Sequence, residues 1–337
     1  MQAIIKKKCE RKRPMCTAIT YCGYNAYFGR NLDLERLFDE EVTIVPRNFP
    51  LTFKKEGSLE NHFSIIGMST IIDNYPLFYD ATNEYGLSMA GLNFVGNAVY
   101  HEAEYGKTNL CTFELIPYLL ATCKTVEEAM ISIESLNIIS TPFNENTPNA
   151  MLHWIIADKV EAMTIESMAD GIRIYRNPLG ILTNNPPFDY HLTNLNNYLN
   201  LTAEEPKNRF SKDLQLEPYS RGMGAIGMPG DLSSSSRFIR ATFAKSNSPR
   251  MRSEEKSVSQ VFHILGAVEM CDGSVRVGRK NERTQYTSCI NVNEGIYYYR
   301  TYENLQITAV KMRSENLDSA KLVRFPIRHK SNVLFEN

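Results

Sequence analysis

Strand-type segments crowd the two ends of this chain and a helical pair lies between them, an order that restricts the fold more than any other feature. Near the start, residues 17–21 (TAITY) and 26–31 (AYFGRN) are rich in β-branched and aromatic residues. They flank the turn-prone Cys22-Gly23-Tyr24-Asn25, which predicts a hairpin. Residues 42–46 (VTIVP) and 64–72 (SIIGMSTII) extend the strand-rich region, and residues 295–312 predict a second hairpin turning at Glu303-Asn304. In the middle, Thr108-Asn109 reads as the cap of a helix through CTFELIPYLLATC, where Phe113, Leu115, Ile116, Leu119 and Leu120 keep a helical period and Pro117 is placed to kink it. Thr125 followed by Glu128 makes a capping box for a second helix running to about Leu136. Strand-type sequence returns at residues 152–158, 163–167 and 172–176, and residues 257–270 predict a third helix.

Strands, a helical pair, strands, a helix and strands again predict an α+β fold of antiparallel sheets covered by helices, not alternating βαβ units. No repeat or Pro/Gly linker divides residues 16–337, so they read as a single domain. Their 43% hydrophobic content suffices for a large core. The formal charge of −1 is the sum of +5 over residues 1–14 and −6 over the remainder. An acidic body argues against nucleic acid as the main partner, and the short basic head reads as a solvated extension. No apolar run is long enough for a membrane span or a secretory signal, so no membrane partner is expected and the expected location is cytoplasmic. Seven scattered cysteines, with no C-x-x-C and no zinc spacing, indicate neither a disulfide framework nor a metal site.

Gly222, Gly224 and Gly227 spell G-x-G-x-x-G, but they follow EPYSR and precede MPGDLSSSSRF instead of joining a strand to a helix. A dinucleotide site is thereby excluded, and no other cofactor motif occurs. The six histidines are dispersed; His153 and His263 lie in apolar segments and read as satisfied core residues. The remaining chemical signal is Met15-Cys16, behind an extension unlike the rest of the chain. With Met15 removed, Cys16 carries a thiol and a free α-amine, titrating near 8.5 and 7.7–8.0 in model peptides, so one residue supplies nucleophile and base. On spacing alone, a buried structural cysteine at a strand start is the simpler reading.

The surrounding sequence reverses that preference. MCTAITY and YFGRNLDLE, then GLSMAGLNFVGNAVY (86–100), LHWIIAD, GILTNNPPFDY (180–190), MGAIGMPGDLSSSSRFIRATF (223–243) and GIYYYRTYENLQITAV resemble, in order, blocks of the choloylglycine hydrolase family. The resemblance runs from Met15 to the end and implies an αββα sandwich of the N-terminal nucleophile type, with no cofactor or metal. It places Cys16 as nucleophile and Arg30, Asp33, Asn93, Asn184 and Arg237 at the family's other catalytic positions. It implies that Asp33 orients the amine, that both arginines favour the thiolate, and that Asn93 and Asn184 stabilise the oxyanion. A tight hairpin brings residues 30–33 opposite Cys16, although register leaves open which face Arg30 takes.

Asn at position 93, where the penicillin V acylases of the family carry Tyr, favours glycine- or taurine-conjugated bile salts as substrates. Penicillin V or an acylated homoserine lactone is the enzymatic alternative, and a binding protein with a dead site is the other. Leu32, Phe143 and Thr147, with Met68 and the segment to Asn74, align with positions lining the substrate cleft, and the family's usual assembly is a homotetramer. The basic extension, residues 1–15, is expected to be absent from the active enzyme, since an amide nitrogen cannot take the thiol proton.

Overall fold

Two antiparallel sheets lie face to face in the computed structural model, which describes residues 15–337. The basic run of residues 1–14, with Cys9, lies outside the described residues. In sheet one, β1 (Met15–Cys22) and β2 (Ala26–Leu34) form the expected hairpin. Ile181–Leu182 flanks β1, and the long strand Lys280–Asn291 flanks β2, followed by Ile296–Thr301 and Thr308–Lys311. The last two form the expected second hairpin, in register Ile296 to Lys311. Sheet two runs in the order Gly171–Arg176, Ala162–Met168, Leu152–Ala157, Ser88–Asn93, Tyr75–Asn83, Ile65–Ile72, Glu41–Val45 and Val323–Pro326.

Helices α1 (Leu115–Thr122) and α2 (Val126–Glu134) cover the outer face of sheet two through Leu115, Leu119, Leu120, Val126, Ala129 and Ile133. The short α3 (Phe188–Asn194) leads, through a loop, to α4 (Ser234–Ser246), which with α5 (Glu254–Gly266) covers the outer face of sheet one. The layers are therefore α, β, β, α, as the resemblance implies. Close approach of α5 requires a glycine at position 29, where an added Cβ would lie 3.0 Å from Val261 and 2.6 Å from the Ser288 carbonyl.

Three details depart from expectation. Thr108–Cys111 is a strand paired in parallel with Leu136–Ile139, not a helix cap, because Asn109 donates to the carbonyls of Glu104 and Lys107 and its own amide to Glu56. Helix α1 starts only at Leu115, so Pro117 occupies the first turn, where no intrahelical N–H bond is lost and no kink is needed. His263 lies exposed on α5, whereas His153 is buried. The Thr125 hydroxyl does accept from the Glu128 amide at 3.2 Å, and Glu128 answers by accepting from the Lys124 amide. Among the described residues no helix is long and apolar enough to cross a membrane, and no His, Cys, Asp and Glu side chains are grouped to hold a metal ion.

Candidate active site

Register decides which side chains can meet. Cys16 pairs with Leu32, Ala18 with Arg30 and Met15 with Asp33. Paired residues share a face and successive residues alternate, so Cys16, Arg30 and Leu32 point toward sheet two, whereas Met15, Thr17 and Asp33 point toward α4 and α5. The face of Arg30, open from sequence, is thus the face of Cys16.

Arg30 is fully buried and extends across the inter-sheet layer. One terminal nitrogen donates to the Cys16 sulfur at 2.8 Å, and the other to the carbonyls of Tyr79 (2.8 Å) and Gly91 (3.1 Å) in sheet two. Nearby, Asp80 of sheet two accepts from the Tyr297 hydroxyl at 2.7 Å and the Ser288 hydroxyl at 2.9 Å, both in sheet one. Burial opposes the charge on Arg30, but Cys16, Tyr286 and Asp80 around it hold its pKa above the ordinary arginine value. Burial likewise pushes the Cys16 thiol up, with Arg30 the strongest pull in the other direction.

On the opposite face Arg237 of α4, also fully buried, donates to the Cys16 carbonyl (2.5 Å), the Thr17 hydroxyl (2.6 Å) and Asn184 Oδ1 (2.7 Å). The same Asn184 oxygen accepts from the Cys16 nitrogen at 2.8 Å, and Asn184 Nδ2 donates to the Asn93 carbonyl at 2.8 Å. Asp33 accepts from the Thr284 hydroxyl at 2.6 Å, while its second oxygen is buried without a partner among the described residues. Burial pushes Asp33 up to about 6, against the pull of Arg237. Glu282 accepts from the Met15 amide at 2.6 Å, and burial pushes it up to about 7.

Of the residues expected from five separate stretches of sequence, Arg30 meets the Cys16 sulfur and Asn184 the Cys16 nitrogen, Arg237 reaches the Cys16 carbonyl and Asn184, Asn93 joins them through its carbonyl, and Asp33 lies on β2 opposite Met15. The four expected cleft residues are placed differently. Leu32 faces Cys16 within the core, and Met68 is fully enclosed between the sheets, so only Thr70 to Asn74 of its segment reach the surface. Phe143 packs 5.2 Å from Phe113 and 5.7 Å from Tyr75 in a separate aromatic cluster, and Thr147 is half-buried in the loop beyond it. Asp80, Thr284 and Glu282 were missed from sequence. No motif marks them, because each owes its place to cross-sheet or cross-strand pairing.

The family described as linear amide C-N hydrolases, choloylglycine hydrolase family, matches residues 16–325. The bile salt hydrolase/transferase of Lactiplantibacillus plantarum is 51% identical over 324 residues, 96% of this chain and 100% of that protein. A mutant of the conjugated bile acid hydrolase from Clostridium perfringens aligns with a TM-score of 0.89 and 36% identity, over 96% of this chain and 100% of its own. Penicillin V acylase from Agrobacterium tumefaciens, 19% identical with a TM-score of 0.71 over 92% of this chain and 91% of its own, shares the fold. On the length of these matches and the residues gathered at Cys16, the chain belongs to the choloylglycine hydrolase family and is a hydrolase of linear amide C–N bonds.

Proposed function

We propose that the chain hydrolyses glycine- or taurine-conjugated bile salts, with Cys16 as the nucleophile of a form that begins at that residue. One observation carries this reading: the sulfur and the backbone nitrogen of Cys16 are each met by a buried polar side chain, Arg30 on the former and Asn184 on the latter. Once the nitrogen is a free amine it takes the thiol proton, and Arg30 favours the thiolate. The sulfur attacks the amide carbonyl, the oxyanion is met by Asn93 and by the remaining N–H of Asn184, and the α-ammonium returns its proton to the departing amine. Water then hydrolyses the thioester. Asn184 Oδ1 and Arg237 hold the amine in place from the far side, and Asp33, charged above about pH 6, balances Arg237.

Conjugated bile salts are favoured over penicillin V by the names of the full-length relatives and by Asn at position 93. On the same reading, residues 16–337 act as one cytoplasmic domain, assemble as a homotetramer and need neither metal nor cofactor. Ninhydrin detection of glycine and taurine released from conjugated cholates tests the substrate; release from neither, with turnover of penicillin V, would transfer the chain to the alternative. Intact-mass measurement on active enzyme tests the start, and full activity in protein still carrying residues 1–15 would remove the α-amine from the mechanism.

A further inference from the structure

Two buried histidines that the mechanism does not use stand directly behind Asn184. The ring of His191 places Nε2 2.9 Å from the Asn184 carbonyl, and that of His153 places Nε2 3.0 Å from the preceding carbonyl, of Thr183. A carbonyl only accepts, so both Nε2 atoms carry a proton and donate. Both side chains are fully buried. Each ring is also fixed on its flat side: His191 stacks on Phe238 with centroids 4.8 Å apart, and His153 on Phe94 at 4.3 Å with the planes within 7°.

Phe94 follows Asn93, so His153 lies against the residues adjoining both candidate oxyanion asparagines. The segments they occupy are tied to each other, Asn184 donating to the Asn93 carbonyl and Asn185 to the Val95 carbonyl at 3.0 Å. His153 Nδ1 is anchored in turn on Glu166 at 3.1 Å, and the same oxygen of Glu166 accepts from the Phe188 amide at the start of α3, the helix that carries His191. A chain of contacts thus runs from Glu166 to both histidines and on to Thr183 and Asn184. The Ser234 hydroxyl completes the enclosure by accepting from the Asn184 amide at 2.8 Å.

We propose that His153 and His191 are positioning residues, which fix the Thr183–Asn184 backbone by paired Nε2–H donation and so aim the Asn184 side chain at the Cys16 nitrogen and the oxyanion. This rests on the reading of Asn184 given above. Burial lowers the His191 pKa to about 4, which keeps the ring a neutral donor at working pH. A misplacement of about 1 Å at a reacting centre costs on the order of 10² in rate.

The test compares His191→Leu, which cannot donate, with His191→Gln, whose amide nitrogen reaches the place of Nε2, and pairs them with the same two changes at His153. Turnover of glycocholate is measured per Cys16 thiol titrated in folded protein. The Leu variants are expected to lose kcat by about 10- to 100-fold with KM changed less than about threefold, and the Gln variants to recover most of it. Leu variants with wild-type kcat, or Gln variants as slow as Leu, overturn the proposal. Asn184→Ala run in parallel separates the levels: if it keeps full kcat, the role of Asn184 itself is wrong, whereas a slow Asn184→Ala beside fast Leu variants rejects only the histidine clamp. If the histidine variants do not fold, nitrogen NMR of the wild-type enzyme at pH 7 decides. A proton on Nε2 of both rings supports the clamp, and its absence from either rejects it.

Discussion

Sheet two separates two buried layers that use their interiors in opposite ways. Toward α1 and α2 the core is built of aliphatic and aromatic side chains, and the buried acid Glu114 accepts from the backbone amides of Lys54 and Cys111. Toward sheet one, the core residues share the layer with Arg30 and Asp80, both without exposed surface. Removing a charged group from water costs several kcal/mol even after relaxation. The helix-side layer therefore contributes stability, and the inter-sheet layer gives up part of its own to hold a guanidinium against a sulfur.

Substitutions in the two layers should separate activity from stability. Cys16→Ala is expected to abolish hydrolysis while leaving the melting temperature within a few degrees of wild type; any retained turnover would end its role as nucleophile. Leu119→Ala, in the apolar layer, is expected to do the reverse, costing about 2–5 kcal/mol in denaturant unfolding while the folded fraction keeps its kcat. A loss of kcat in folded Leu119→Ala would mean that the layers are coupled. Asn93→Tyr should lower bile salt hydrolysis more than tenfold, since one lost oxyanion donor costs about 10²–10³ in rate. An unchanged rate takes Asn93 out of the mechanism.

The smallest effect is one of pH. Asp33 sits at about 6 in the folded chain, above the ordinary unfolded value of about 3.9. Its contribution to stability is therefore fully present below about pH 4 and is lost as pH rises through 6, at up to about 1.4 kcal/mol per pH unit. Asp33→Asn should remove that part of the slope when unfolding free energies are compared at pH 4, 5 and 6. Parallel slopes in the two proteins would place the carboxyl outside the buried network.

The difference between the layers also explains what could be read from the sequence. The helix-side layer announces itself by period, as at Leu115, Leu119 and Leu120, and by the Thr125 cap. The central strand of sheet one, Lys280–Asn291, does not, because its buried side chains are largely polar: Thr284 serves Asp33, Thr287 serves Asn31, Ser288 serves Asp80 and Gln285 donates to the Leu34 carbonyl. A strand whose interior partners are hydrogen bonds shows no hydrophobic alternation. Helix α4 was hidden for a related reason, its serine-rich start serving as a cap in which the Ser233 hydroxyl accepts from the Ser236 amide. At the site, the family blocks include Arg30, Asn184 and Arg237, the three side chains that contact Cys16. That Arg30 and Asp33 take opposite faces follows from their odd separation once the strand is known. Asp80, Glu282 and the two histidines depend on contacts between distant segments, which no local pattern encodes.

The reach of Arg30 into sheet two also governs how the molecule can open. Its bonds to the Tyr79 and Gly91 carbonyls, with the Asp80 contacts to Ser288 and Tyr297, fasten the sheets together at the same place where the sulfur is held. The sheets cannot part locally without disassembling the site, so excursions that expose the strands around Gly91 coincide with loss of the reactive geometry. In hydrogen-exchange terms, the amides of Ser88–Asn93 and β2 should belong to the slowest cooperative unit, opening only with global unfolding, while the loops bearing Phe143 and Thr147 exchange earlier. The reacting atoms would then be among the last parts of the fold to loosen.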